Sequence, residues 1–280
     1  PQIQTHVVGL MMFFTISGFL ITLSFERHPE LLRFLRARAL RLWPALIVCV
    51  LAWAFVLGPM LTALPLREYA AWHRPDNPYA YAWDNASLFR VRMLLPGLFE
   101  HNRIPLVVNS SLWTIPVEAT MYLWVAGAGT LRLLRFPWLT SFAIAAVFGV
   151  LVLWPMSAGQ FHYMSDLKLT VQGFFGAGAI ACLLRRHIPV STGLMLAIAI
   201  ACTLASHTRH ATPMAWLAVG YFVLWFAYVP RLPSIPHDWD LSYGIYLWAW
   251  PLQQTVVEVG GVDDPLVLFV IVVPVLCAIA

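Results

Sequence analysis

Residues 7–25, VVGLMMFFTISGFLITLSF, carry no charged side chain. A helix crossing the hydrocarbon of a bilayer needs about 20 mostly apolar residues, and this run has that length. Arginines follow it and no small-residue cleavage site does, so it reads as a retained span and not as a cleaved leader. Runs of similar character recur at 42–64, 112–134, 138–155, 168–184, 190–207, 212–228, 239–257 and 264–280. They lack the alternation of barrel strands and are too long to be such strands. Helices also satisfy their own backbone groups in lipid. The expected fold is therefore all-α: a polytopic transmembrane helical bundle with nine segments.

Composition points the same way. Of 280 residues, 60% are apolar before glycine is counted and 11% are charged. Ordinary soluble chains hold about 45–50% apolar residues with glycine and about 25% charged. Such a chain cannot cover a soluble surface, and its apolar content excludes disorder. A net charge of +4 with no basic patch on a soluble fold predicts no nucleic-acid partner. Cys49, Cys182, Cys202 and Cys277 lie in apolar runs at spacings that fit neither a zinc site nor a disulfide framework. No metal is expected.

Charge also orients the segments. With the N-terminus outside, ten arginines fall in inner connections: Arg27, Arg33, Arg36, Arg38, Arg41, Arg132, Arg135, Arg185, Arg186 and Arg231. The remaining seven basic residues fall outside, five of them in one long loop. The positive-inside rule then places the C-terminus inside. That loop, 65–111, is the main extramembrane feature. Within it, Leu88 to Phe99 is expected along the membrane interface, with Arg90 and Arg92 facing head groups. The chain reads as one membrane domain over 1–280. Pro1 at the start and an apolar run from Pro265 to Ala280 without a polar flank predict a chain cut at both ends.

Four stretches hold polar groups where lipid-facing helices rarely do. In FFTISGFLIT (13–22), Gly18 permits close approach of a second helix and Ser17 can hydrogen-bond across it. A catalytic serine would need a partnered base, and no histidine lies nearby in sequence. In FLRARALRLWPAL (34–46), Arg38 and Arg41 share a helix face and can clamp phosphate; inner-face anchoring explains them equally. In NSSLWTIPVEATMYL (109–123), Glu118 lies six residues into the run, about 9 Å deep at ~1.5 Å per residue. A carboxylate at that depth faces a cavity or a partner. A structural pair with an arginine is the alternative, and Trp113 also suits an interfacial anchor. In LSYGIYLWAWPLQQ (241–254), Pro251 breaks the helical ladder, and Gln253 and Gln254 add amide polarity. Of nine histidines, none sits well inside an apolar run, and His101 alone merits consideration as a proton-transfer group.

Taken in this order, the four stretches resemble acyltransferase family 3, the membrane O-acyltransferases that include polysaccharide O-acetyltransferases. The resemblance runs from about Val7 to the end. It implies about ten membrane helices in a bacterial inner membrane. It also implies acyl transfer, acetyl above all, from cytoplasmic acyl-CoA to a hydroxyl of an extracytoplasmic glycan or lipid-linked sugar. By motif position, Arg38 and Arg41 would bind the coenzyme A donor. Glu118 and Ser17 would be the catalytic candidates. Asn109, Trp113, Tyr122 and Tyr243 would meet the acceptor. The family's expected base is a histidine about ten residues from an arginine in a first helix that this sequence lacks. Ser110 replaces a usual glycine and Ala249 a frequent histidine. Such a chemistry needs a passage joining an inner donor site to an outer acceptor site. Two other readings remain: a secondary transporter, with Gly18 and Pro251 as breaks along a substrate path, and a non-catalytic membrane remnant.

Overall fold

The computed structural model describes residues 5–158, 163–206, 208, 211–229, 241–262 and 264–279. Arg209 and Arg231, counted for orientation, lie outside them. The elements are α1 (Thr5–Arg27), α2 (Leu31–Ala52), α3 (Gly58–Leu61), α4 (Leu66–Tyr69), α5 (Pro78–Ala86), α6 (Thr114–Thr130), α7 (Pro137–Ala158), α8 (Tyr163–Leu183), α9 (Thr192–Ala205), α10 (Ala211–Tyr228), α11 (Ser242–Gly260) and α12 (Pro265–Ile279). No strand forms among the described residues beyond a single bridge between Leu94 and Val107. A helix occupies each of the nine apolar runs. Val7–Arg27 and Leu31–Leu61 are long and apolar enough to cross a membrane, and 137–151, 167–183, 192–205 and 217–228 are shorter apolar helices.

The second helix begins at Leu31, eleven residues before its apolar run. Leu, Arg and Ala are strong helix formers, so the arginine-rich stretch is helical and not a loop. The chain divides into two compact units, 1–36 with 117–234, and 37–116 with 235–280. It passes from one unit to the other within α2 and within α6.

In the first unit, α1 packs along α8. Helices in lipid gain nothing from burying apolar surface against each other, so close backbone contact must supply the attraction. Two glycines allow it reciprocally. A Cβ on Gly18 would stand 2.0 Å from the Phe175 carbonyl oxygen, and one on Gly178 would stand 2.0 Å from that of Thr15. Phe14, Phe174 and Phe175 are buried, and α7 and α10 also pack on α8.

In the second unit, α2 continues through a π-helical turn, Trp53–Leu57, into α3. The Gly58 amide donates to Trp53, and Pro59 has no N–H, so the Ala54 carbonyl is left over. The buried Tyr69 hydroxyl donates to it at 2.8 Å. Burial raises the Tyr69 hydroxyl above its ordinary range. The 65–111 segment is an ordered layer. Asn77 caps α5 by accepting from the Ala80 amide at 2.8 Å. Asn85 accepts from the Arg92 amide and donates to its carbonyl. Residues 88–99 do not form an interfacial amphipathic helix. Leu95, Leu98 and Phe99 are buried, Leu88 and Phe99 hold left-handed φ values of 58° and 55°, and Arg92 pairs with Asp84. Arg90 remains exposed. Part of the expected strip thus packs on protein and its second arginine finds a carboxylate, while Phe89 and Leu94 stay exposed beside Arg90.

Candidate functional site

Glu118 lies on α6, four residues after the helix begins, and is 3% exposed. The Tyr122 hydroxyl, one turn on and also buried, donates to its Oε1. This spacing, i to i+4, puts the two side chains on one helix face. The pair places a carboxyl group and a phenol together in a buried setting.

Ser17 sits on α1 beside Gly18 and is buried. Its neighbourhood is the α1–α8 contact, where Gly18 has a plain packing task.

The second unit contains a polar cluster that ties distant segments together. Pro251 lies inside α11 and cannot donate to the carbonyl of Leu247 four residues back. Asn109 replaces that donor. It is fully buried, and its Nδ2 donates to the Leu247 oxygen at 3.0 Å while its Oδ1 accepts from the Ser111 amide at 3.0 Å. The Cys49 thiol donates weakly to the same oxygen at 3.7 Å. So α11 runs on through its proline because a side chain 138 residues away supplies the missing donor. Asn109→Ala is expected to cost about 1–3 kcal/mol, because it leaves a buried carbonyl short of a partner. Pro251→Ala restores the amide, so the double variant should lose less than the sum of the singles. Unfolding of all three in micelles checks this; strict additivity would contradict the link.

The expected acceptor residues take different positions. Tyr243, half-buried, donates its hydroxyl to the Leu42 carbonyl at 3.1 Å. Trp113 ends a short 3₁₀ turn, Ser110–Trp113, and is half-buried. Tyr246 lies 2.5 Å from the Thr114 hydroxyl. It and Gln254 join the cluster although the resemblance assigns neither of them a role. Gln254 is buried and donates from Nε2 to Ile104 at 2.8 Å and to Val107 at 2.9 Å, and Asn102 donates to its backbone carbonyl at 3.0 Å. The Tyr and Gln spacing in 241–254 was the available signal, since 243, 246, 247, 250 and 254 fall on one helix face. Tyr81 is fully buried, and burial, with Cys49 and Tyr69 near by, pushes its hydroxyl well above the tyrosine range.

Arg38 is half-buried and Arg41 exposed on α2. His101 is exposed in a turn. Among the described residues, no group of three His, Cys, Asp or Glu side chains is placed to hold a metal.

The first unit also holds a polar cleft of about 790 Å³. The end of α1, the start of α2, the 129–137 connection and residues 183–187 line it. Thus three connections that the charge count puts on one membrane face do meet at one end of this unit. Arg132 closes α6 with φ 60°, ground that usually belongs to glycine and costs other residues about 1–2 kcal/mol.

The apolar helices mark a helical membrane protein, and α6 carries a buried carboxyl group within it. The family described as "Acyltransferase domain", acyltransferase 3, matches residues 3–280, and the chain belongs to it. It is an O-acyltransferase. It is similar to the O-acetyl transferase of Shigella phage Sf6, with 24% identity over 260 residues, covering 90% of this chain and 74% of the relative. It is also similar to nodulation protein 10 of Rhizobium leguminosarum bv. viciae, with 26% identity over 283 residues, covering 91% of this chain and 74% of the relative. No solved structure matches.

Proposed function

We propose that the protein transfers an acetyl group from cytoplasmic acetyl-CoA to a hydroxyl of an extracytoplasmic glycan or lipid-linked sugar. It does so as a single multi-pass domain of a bacterial inner membrane. The buried Glu118–Tyr122 pair, inside the NSSLWTIPVEATMYL stretch, carries this reading, because a carboxylate sunk in an apolar helix without a task is costly. The similarity to an O-acetyl transferase supports acetyl as the group moved.

In the reaction the acceptor oxygen attacks the thioester carbonyl. A base takes the hydroxyl proton, an oxygen–carbon bond forms, and coenzyme A leaves as its thiol. Glu118, held by Tyr122, orients the acceptor hydroxyl or the base. Ser17 is assigned a positioning task in α1. Arg38 and Arg41 hold the donor's phosphates by charge-assisted hydrogen bonds. Trp113, Tyr122 and Tyr243 are assigned to the acceptor, with Asn109 fixing the turn that carries Trp113.

Arg38→Ala is expected to raise the acetyl-CoA concentration needed for half-maximal transfer at least tenfold, as for loss of one charged hydrogen bond of about 1.5–3 kcal/mol. Arg38→Lys should recover only part, because an ammonium lacks the planar fork. Initial rates at varied acetyl-CoA check this. Unchanged donor saturation in Arg38→Ala would remove the phosphate role.

A further inference from the structure

We propose that the arginine cleft of the first unit is a binding site for an anionic membrane lipid: its phosphate head group sits among Arg132, Arg135 and Arg186, and its hydrocarbon chain lies in the adjoining apolar groove. The cleft is lined by four arginines, His187 and one carboxylate, Glu26. Glu26 is committed to Arg185, whose guanidinium lies 2.8 Å away. Arg185 also donates to the Cys182 carbonyl at 2.5 Å. Among the described residues no carboxylate pairs with Arg132, Arg135 or Arg186, so three guanidiniums face the cleft uncompensated. Inner-face anchoring explains a basic residue at a helix end. It does not explain three from two separate connections gathered on one cavity.

A second observation selects a lipid over a small anion. Leu134 and Leu183 line both this cleft and a groove of about 450 Å³. The groove is walled by Trp124, Val125, Ile144 and Phe175 among others. An arginine-lined mouth continuous with an apolar trough is complementary to an amphiphile with an anionic head and a hydrocarbon chain. Basic pockets between membrane helices commonly take anionic head groups this way. A third observation concerns Arg132. Its left-handed backbone would suit glycine better, and strain held at a cleft points to use.

The test reconstitutes the protein in phosphatidylcholine bilayers containing either brominated phosphatidylglycerol or brominated phosphatidylcholine at equal mole fraction. Tryptophan quenching is then read. The wild type should be quenched at several-fold lower mole fraction by the phosphatidylglycerol. Trp124→Phe should lose most of that difference, because Trp124 lines the groove. Arg132→Gly/Arg135→Gln/Arg186→Gln should lose the head-group preference at least tenfold. Arg132→Gly alone should weaken the preference while raising thermal stability, a pairing that a purely structural arginine would not give. Equal quenching by both lipids overturns the proposal, as does a preference that survives the triple substitution. Abolition of the preference by millimolar acetyl-CoA also overturns it, and would give these guanidiniums to the donor's phosphates.

Discussion

Replacing Glu118 by glutamine abolishes most acyl transfer while the protein still accumulates in the membrane. The substitution keeps volume and leaves an oxygen to accept from Tyr122, so the α6 packing is preserved. What disappears is the charge. A group that orients or accepts a proton in the transition state is worth about 10²–10⁴ in rate, and the loss should fall in that range. Tyr122→Phe removes only the hydroxyl that holds the carboxylate, so its effect should be smaller, about tenfold. Glu118→Asp keeps the charge about one methylene short and should retain more activity than Glu118→Gln. Transfer rates normalised to membrane yield decide the matter. Full activity in Glu118→Gln would return this carboxylate to a structural part.

Gly18→Leu has the largest expected effect on the fold. Even a methyl at that position would stand 2.0 Å from the Phe175 backbone oxygen, and backbone cannot rotate away as a side chain can. Gly178 faces Thr15 under the same constraint, so α1 and α8 would separate over the whole contact. Overpacking a tight core costs about 1–3 kcal/mol even where side chains can adjust, and here they cannot. Gly18→Ala should lower stability by at least that much, and Gly18→Leu should prevent accumulation. Ser17→Ala next to it should stay within about 1 kcal/mol. Midpoints of thermal unfolding in detergent, with membrane yield for the leucine variant, check the series. Normal yield of Gly18→Leu would mean that the two helices do not meet in this way.

The contrast between these neighbours shows what the chain discloses by itself. Hydropathy over twenty residues reports a helix directly, and α1 follows its apolar run within two residues at each end. Gly18 was also readable as a contact, since a glycine in an apolar helix marks close approach. The start of α2 was not, because arginines hide a helix from a hydropathy reading while favouring it by propensity. The partners of the polar residues were least legible. Asn109 looks like a substrate ligand until Leu247 is seen to lack an amide donor. That deficit is written in Pro251, but nothing in sequence says which side chain answers it. Likewise Arg132, Arg135 and Arg186 read as anchors because charge counting treats each connection separately. Only folding brings the connections to one cleft. Glu118 was legible by depth alone; its phenol partner required only the helical period.

O-acetyl transfer from an inner donor to an outer acceptor can be followed in inside-out membrane vesicles that contain the protein and are given acetyl-labelled acetyl-CoA. Alkali-labile label is expected on lumenal glycan, appearing as free coenzyme A thiol is released outside in equal amount. Label that stays on coenzyme A, or a substrate that crosses intact with no ester formed, would contradict it.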